Sequence, residues 1–289
     1  MSVRLLYCEG KSKSLDLEIL SALLSGIAID IQPVGSKHIL KDRIIGARDA
    51  QRNWSIAGIK DRDFDDDNSP PTNNPRNWED KNTGEKLGWT WERKEIENYL
   101  IDPNVVKFAL GSKAPPPDEY EQTLKASAEK MSYYTAARIT LSFYLQNRPS
   151  PPQNYWGEKQ YKKYKDEDYC CPKDKGLTQA NCRSQTNNIV TQYQNSFGKK
   201  LDVLSEFDRL LPYCRPGGFR FENYLTFFAG KDLLFGMQNA LRKFNFESPV
   251  VFRKAIIQGI AESPEDVWTW LPEWQKLREL IRDFNFEPS

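Results

Sequence analysis

An α/β fold built on a parallel sheet is expected from three features of the chain. Short apolar runs at residues 3–8, 28–34 and 54–59 alternate with two stretches whose apolar residues recur at helical spacing. The resulting β-α-β-α-β order calls for parallel strands joined by right-handed crossovers. Carboxylates stand just past the ends of the first and third runs, where such sheets gather ligands.

The elements follow in order. The first run ends at Glu9-Gly10, where glycine permits a tight turn or a close approach to a ligand. Ser12 or Ser14 can cap the helix that follows, and Leu15, Ile19, Leu20, Leu23, Leu24 and Ile27 give it one apolar face ending near Gly26. Gly35 stops the second strand. Ile39, Leu40, Ile44 and Ala47 mark a second amphipathic helix, and the third strand delivers Asp61-Arg62-Asp63-Phe64-Asp65-Asp66-Asp67. Five aspartates in seven residues is an unusual density of charge. A spacing of two puts Asp61 and Asp63 on one side of the strand end. Crowded carboxylates repel unless a cation neutralises them, and hard oxygen donors suit Mg²⁺ or Mn²⁺. A solvated acidic loop is the plain alternative. An EF-hand loop fits at Asp61, Asp63 and Asp65 but fails at Asp66 and Thr72, where glycine and glutamate are required.

Residues 68–88 are polar and rich in Pro, Asn and Gly, which reads as a long surface loop. Residues 87–91 suggest a fourth strand. Among Glu92, Glu95 and Glu97, the last adjoins Tyr99-Leu100-Ile101 and is the best placed to face a site. Asp102-Pro103 opens a helix, with Asp102 as its cap. Residues 119–145 read as one or two helices, and 146–198 lack clear periodicity. Within that stretch Tyr155, Trp156, Lys162, Lys163, Tyr164 and Lys165 interleave base-stacking and phosphate-binding side chains; a solvated loop balanced by Asp166, Glu167 and Asp168 is the alternative. A helix over 201–211, an extended aromatic segment over 219–228, and a helix opened by Gly230-Lys231-Asp232 follow. Lys231 in a first turn opposes the helix dipole, so an anionic partner suits it. Two final helices are expected after Ser248-Pro249 and Ser263-Pro264. Trp268, Trp270 and Trp274 on the second are core or partner-contact residues, and this Trp-rich end offers a face for pairing two copies as a homodimer.

Composition narrows the chemistry. The 289 residues carry a net charge of +1, so any attraction to nucleic acid must be local. No apolar run approaches a membrane span, and the first residues hold too short an apolar stretch for a signal peptide, so a cytoplasmic protein without a membrane partner is expected. Five cysteines, an odd number, argue against a disulfide framework. Cys170, Cys171, Cys182 and Cys214 could form a four-thiolate zinc site, but they include no Cys-x-x-Cys pair, which counts against it. With His38 the single histidine, chemistry by carboxylates, lysine and metal is favoured.

Leu5-Leu6-Tyr7-Cys8-Glu9-Gly10 resembles the first motif of Toprim domains, a strand ending in Glu-Gly. Asp61-Arg62-Asp63 resembles the Toprim Asp-x-Asp motif after the third strand. Glu95-Ile96-Glu97-Asn98-Tyr99-Leu100 and Gly230-Lys231-Asp232-Leu233-Leu234 are similar to segments of small Toprim nucleases. Those most similar in kind accompany ABC-type ATPases in anti-phage defence: the OLD-like nucleases and the AriB-like effectors of the PARIS system. The resemblance covers residues 1 to about 110, and beyond them only the surroundings of Lys231.

It implies a Toprim core over 1–112 and a largely helical region over 113–289. By analogy Glu9, Asp61, Asp63 and Glu97 would hold Mg²⁺ or Mn²⁺, and Lys231 would stabilise the phosphate of tRNA or DNA during cleavage. One departure stands out. OLD-type sites often carry a second acid four residues after the first, and here that place is Lys13; Asp16 can substitute if the turn allows it. Lys11 and Lys13 can instead contact phosphate. A separate ATPase partner is expected, because the chain has no Gly-x-x-x-x-Gly-Lys-Ser/Thr motif. A toxic defence nuclease and a non-catalytic Toprim scaffold both remain open on these grounds.

Overall fold

A computed structural model describes residues 2–51, 55–63, 67–145, 174–197, 203–263 and 266–284. The chain divides into two compact units. The first comprises Met1–Arg62, Pro70–Ala114 and Arg253–Ser289, and the second comprises Asp63–Ser69 and Pro115–Phe252.

The first unit is α/β. Its strands are β1 (Leu5–Cys8), β2 (Asp30–Pro33), β3 (Ile56–Lys60), β4 (Arg76–Glu79) and β5 (Lys86–Thr90), in the order β2-β1-β3-β5-β4. β1 pairs in parallel with both β2 and β3, and β5 pairs in parallel with β3; β4 closes the edge antiparallel to β5. Helices α1 (Leu15–Leu23) and α2 (Lys37–Gln51) provide the two crossovers, and α3 (Glu97–Leu100) and α4 (Pro103–Leu110) follow β5. Asp102 caps α4, its side chain accepting from Asn104 N, with Pro103 in the first turn as expected.

The central strands β1, β3 and β5 are buried on both faces, and only the edge strand β4 alternates. Tyr7, Ile56 and Leu87 pack with Leu40 and Ile44 of α2. Arg48, also on α2, is buried and donates to the carbonyls of Ile56 and Lys86, tying that helix to β3 and β5. Gly58 and Gly88 sit opposite each other where β3 pairs with β5. A Cβ on Gly88 would lie 1.9 Å from the Gly58 carbonyl oxygen, and its φ of +147° is one that other residues rarely adopt.

Residues 253–289 complete this unit. Within α13 (Pro272–Arg282), Trp274, Leu277 and Ile281 are fully buried. Val3 N donates to Ile281 O at 3.0 Å, and Trp89 meets Phe284 edge-on at 5.4 Å. Trp270 is buried and stacks on Phe108. Trp270 and Trp274 are therefore core residues of this unit.

The second unit is helical. Its spine is α5 (Pro117–Leu145), one continuous helix that packs against α6 (Gln179–Phe197), α7 (Val203–Cys214) and α10 (Gly230–Gly236). Gly236 lets α10 approach closely enough for Ser127 Oγ to donate to Leu233 O at 2.7 Å. Helices α8 (Phe219–Glu222), α9 (Tyr224–Phe227) and α11 (Gln238–Lys243) are short, and α12 (Pro249–Glu262) leads from the second unit into the first. Arg220 is buried, with Nε donating to Asn68 Oδ1 at 2.8 Å and its guanidinium over the Phe227 ring.

Several elements depart from the sequence expectation. Residues 68–88 are not all loop, since β4 lies within them. Arg76 and Trp78 alternate inward there, and the charged and polar neighbours conceal the pattern. Residues 219–228 are helical rather than extended; the turn at Gly217-Gly218 leads into α8 and α9, with Phe221, Phe227 and Phe228 buried. Part of 146–198 is the helix α6, whose buried face is Cys182, Thr186 and Val190, too small and polar a set to read as a stripe. The helix from Gly230 breaks at Met237, and the last helix starts at Pro272, after a 3-10 turn at Val267–Thr269, instead of at Pro264.

Gly88→Ala is expected to lower stability by about 3 kcal/mol or more, since it combines a backbone clash with a strained φ; urea unfolding measures it. A second expectation concerns pH. Burial pushes the Glu273 carboxyl up to about 7, against the stabilising bonds it accepts from Glu92 N and the Tyr99 hydroxyl. The folded state keeps this proton between about pH 4.5 and 7, while the unfolded chain releases it. Stability therefore falls as pH rises through that window and is flat above it, by about 3 kcal/mol in all from this group. Glu273→Gln is expected to remove that part of the slope when unfolding free energy is measured from pH 4.5 to 8.

Candidate functional site

Three chain segments of the first unit bring carboxylates together. Glu9 stands one residue past β1. Gly10, at φ +93°, turns the chain so that its N–H and C=O bridge to Gly35 at 2.9 and 2.7 Å. A Cβ on Gly10 would lie 2.3 Å from Ser14 Cβ, so only glycine admits the cap of α1, where Ser14 Oγ accepts from Leu17 N. That tight turn places Asp16 in the first turn of α1 close to Gly10.

Asp61 follows β3 directly. Its backbone N–H donates to Glu9 Oε1 at 3.2 Å, so the ends of β1 and β3 meet although 52 residues separate them. Arg62 turns the opposite way and is buried in an ion pair with Glu92 at 2.8 Å, which also pairs with Arg76 at 2.6 Å. The side chains of Asp61 and Arg62 are thus held on opposite sides of the departing strand. Asp63 is exposed and falls in the stretch Asp63–Ser69 that groups with the second unit.

The electrostatics of Asp61 define the site. Burial comes first in pushing its carboxyl well above the usual range, and the charges of Asp16, Glu9, Glu95 and Glu97 push it further. Its Oδ1 is buried and has no hydrogen-bond partner. Cys8, next to Glu9, has its thiol pushed up to about 12 by burial and by Asp16 and Glu9, so it is a poor nucleophile. Glu97 is buried at the start of α3, and Arg253 Nη1 lies 3.6 Å from its Oε1.

The structure therefore brings Glu9, Asp61 and Glu97 into one electrostatic neighbourhood. It adds Asp16, which sequence reasoning left conditional on the turn, and Glu95, which it ranked below Glu97. Arg253 was missed altogether, because nothing local in the sequence links it to α3. Glu92 is a structural ion-pair residue. Lys11 and Lys13 are exposed in the loop before α1, and Lys231 is exposed as the second residue of α10 in the second unit. Lys162, Lys163 and Lys165 lie outside the described residues, as do Asp65 and Asp66.

The donors around Asp61 are all oxygen, the set that suits Mg²⁺ or Mn²⁺. Among the described residues no three His, Cys, Asp or Glu side chains converge closely enough to hold a metal ion as they stand. The carboxylates meet through charge rather than through a shared coordination point. An orphaned buried oxygen amid like charges is nonetheless what a hard cation would relieve.

No model of a known protein family matches the chain, and no curated protein matches it either. Among the described residues no helix is long and apolar enough to cross a membrane.

Asp61→Asn removes a carboxylate held at electrostatic cost. It is expected to stabilise the metal-free protein at pH 8, where the wild-type group is under most pressure to ionise. The gain should shrink toward pH 4. A relief of about 1 kcal/mol corresponds to about 2–4 °C in melting temperature for a chain of this size, which a thermal melt with chelator present resolves.

Proposed function

We propose that the chain is a Toprim-type, Mg²⁺- or Mn²⁺-dependent nuclease. The observation that carries the reading is Asp61, whose buried, unpartnered Oδ1 lies within the electrostatic reach of Glu9, Asp16, Glu95 and Glu97. Paying to bury a carboxylate among like charges has no structural gain on its own, and such arrangements cluster at functional sites. The Glu-Gly and Asp-x-Asp resemblance supports the same assignment.

In this reading Glu9 and Asp61 are the first metal-binding pair, set by the hydrogen bond between the ends of β1 and β3. Asp16 takes the role that Lys13 leaves vacant, and Glu97 supports the site from α3. A divalent cation, when bound, polarises a phosphoryl oxygen and lowers the pKa of an attacking water. Asp63 and Lys231 enter through the resemblance, Lys231 as the cation that meets charge developing on the phosphate. Lys11, exposed beside Glu9, is suited to a neighbouring phosphate of the substrate. The same resemblance motivates a tRNA or DNA substrate, a cytoplasmic role as the toxic effector of anti-phage defence, and control by an ABC-type ATPase partner.

A second reading is a non-catalytic Toprim scaffold. It is favoured by Lys13 in place of an acid and by the lack of three converging ligands among the described residues.

Incubation with total tRNA or plasmid DNA and Mg²⁺ or Mn²⁺ tests the proposal. Wild type is expected to cleave one of them, and Glu9→Ala is expected to lose about 100-fold or more of that activity. Equal cleavage by both proteins would move the chemistry away from Glu9. No cleavage by wild type, alone and with a co-purified ATPase, together with no Mg²⁺-dependent rise in its melting temperature, would leave the scaffold reading.

A further inference from the structure

A cavity of about 590 Å³ lies in the first unit between α1 and α12. That volume is within the range of about 300–1,000 Å³ usual for small-molecule sites. Its lining is uneven in chemistry. Lys13, Arg253 and Lys254 contribute three cations, while Ile19, Ile257 and Ile260 make apolar wall.

The cations share one end. Arg253 reaches Glu97, whose charge acts on Asp61, and Asp61 N is bonded to Glu9, four residues before Lys13. Lys13, just before the first turn of α1, and Arg253 and Lys254, in the first half of α12, line the cavity together. The other end is fixed independently: Arg278 donates to Leu23 O at the C-terminal end of α1, and its guanidinium lies over the ring of Trp268, just beyond the C-terminus of α12. The two helices thus run the same way along the cavity, leaving Ala22 and Ala261 at the end away from the cations.

A bare inorganic anion would satisfy the cations and leave the apolar wall wet. An apolar ligand would do the reverse and desolvate three charges. A compact molecule with a phosphate at one end and a flat, weakly polar body at the other matches both. Gln258 and Glu18, also on the lining, supply an amide and a carboxylate suited to sugar hydroxyls or a base edge. The ion pair of Arg253 with Glu97, at 3.6 Å, is loose enough for a phosphate to share the guanidinium. We propose that this cavity is a binding site for a nucleoside monophosphate, its phosphate on Lys13, Arg253 and Lys254 and its base against Ile19 and Ile257. The proposal does not rest on the nuclease reading.

Isothermal titration calorimetry of the full chain in chelating buffer tests it, with AMP, CMP, GMP and UMP added separately and inorganic phosphate as control. At least one monophosphate is expected to bind about tenfold or more tightly than phosphate. Lys254→Glu, at an exposed position, is expected to weaken that binding about tenfold or more, and Ile257→Trp, which fills the cavity, to abolish it. Asp61→Asn is expected to bind as wild type does. Absence of binding by all four nucleotides, or binding no tighter than that of phosphate, would overturn the proposal. So would loss of binding in Asp61→Asn, which would place the ligand on the acidic cluster. If Ile257→Trp fails to fold by its melting profile, an unchanged affinity in Lys254→Glu suffices to overturn it. Because no metal is present, failure here leaves the nuclease reading untouched, and failure of the cleavage assay leaves this site untouched.

Discussion

Glu92 is a fully buried side chain, and much of the first unit is arranged to give it partners. Arg62 and Arg76 pair with it, and Thr72 N donates to it at 2.9 Å. Its own backbone N–H is taken by Glu273 of α13, which also accepts from the Tyr99 hydroxyl. One network thus joins Arg62, two residues past β3, to the edge strand β4, the exit of β5, Tyr99 of α3 and the C-terminal helix. Removing one partner of such a buried pair typically costs about 3–5 kcal/mol, because the other charge is left stranded. With Arg62 anchored to Glu92, the preceding Asp61 is held on the side of Glu9. The candidate site is in this sense a by-product of where Arg62 must go.

The two carboxylate environments of this unit are opposite solutions to one problem. Glu92 is buried with two guanidinium partners. Asp61 is half-buried, with like charges around it and a buried Oδ1 that has no hydrogen-bond partner. A fold selected for stability alone gains from the first and loses from the second. Local structure explains how the second is tolerated: the Gly10 turn, the Ser14 cap and the Glu9–Asp61 hydrogen bond fix the backbone firmly enough to hold the repelling groups in place.

Much of this arrangement was legible in the sequence. Val3 to Cys8, the helix through Leu15 to Leu23 and the strand ending before Asp61 carry strong periodic signals, and the parallel topology follows from their order. Glu9 and Asp61 could be paired because both stand past strand ends. Asp16 was harder to read, since its position depends on a turn whose tightness only the Gly10 conformation sets. Arg253 gave no signal, because its partner Glu97 is far away along the chain and charge alone does not select partners. β4 and α6 escaped for a related reason: their inward faces include the half-buried Arg76 and the buried Thr186, which hydropathy does not register as core. The last helix starts at Pro272, where a proline suits the first turn, with Leu271 and Trp274 buried on either side of it.

The return of residues 253–289 to the sheet has a consequence for the order of events on the ribosome. Synthesis runs from the first residue, so β1 to β5 are made long before α13. Until that helix appears, Tyr99, Trp89 and the amide of Glu92 lack the Trp274, Phe284 and Glu273 that cover them. The emerging sheet therefore waits, with apolar surface uncovered, while the whole helical unit is translated. Such intermediates are prone to aggregation and are typical clients of chaperones.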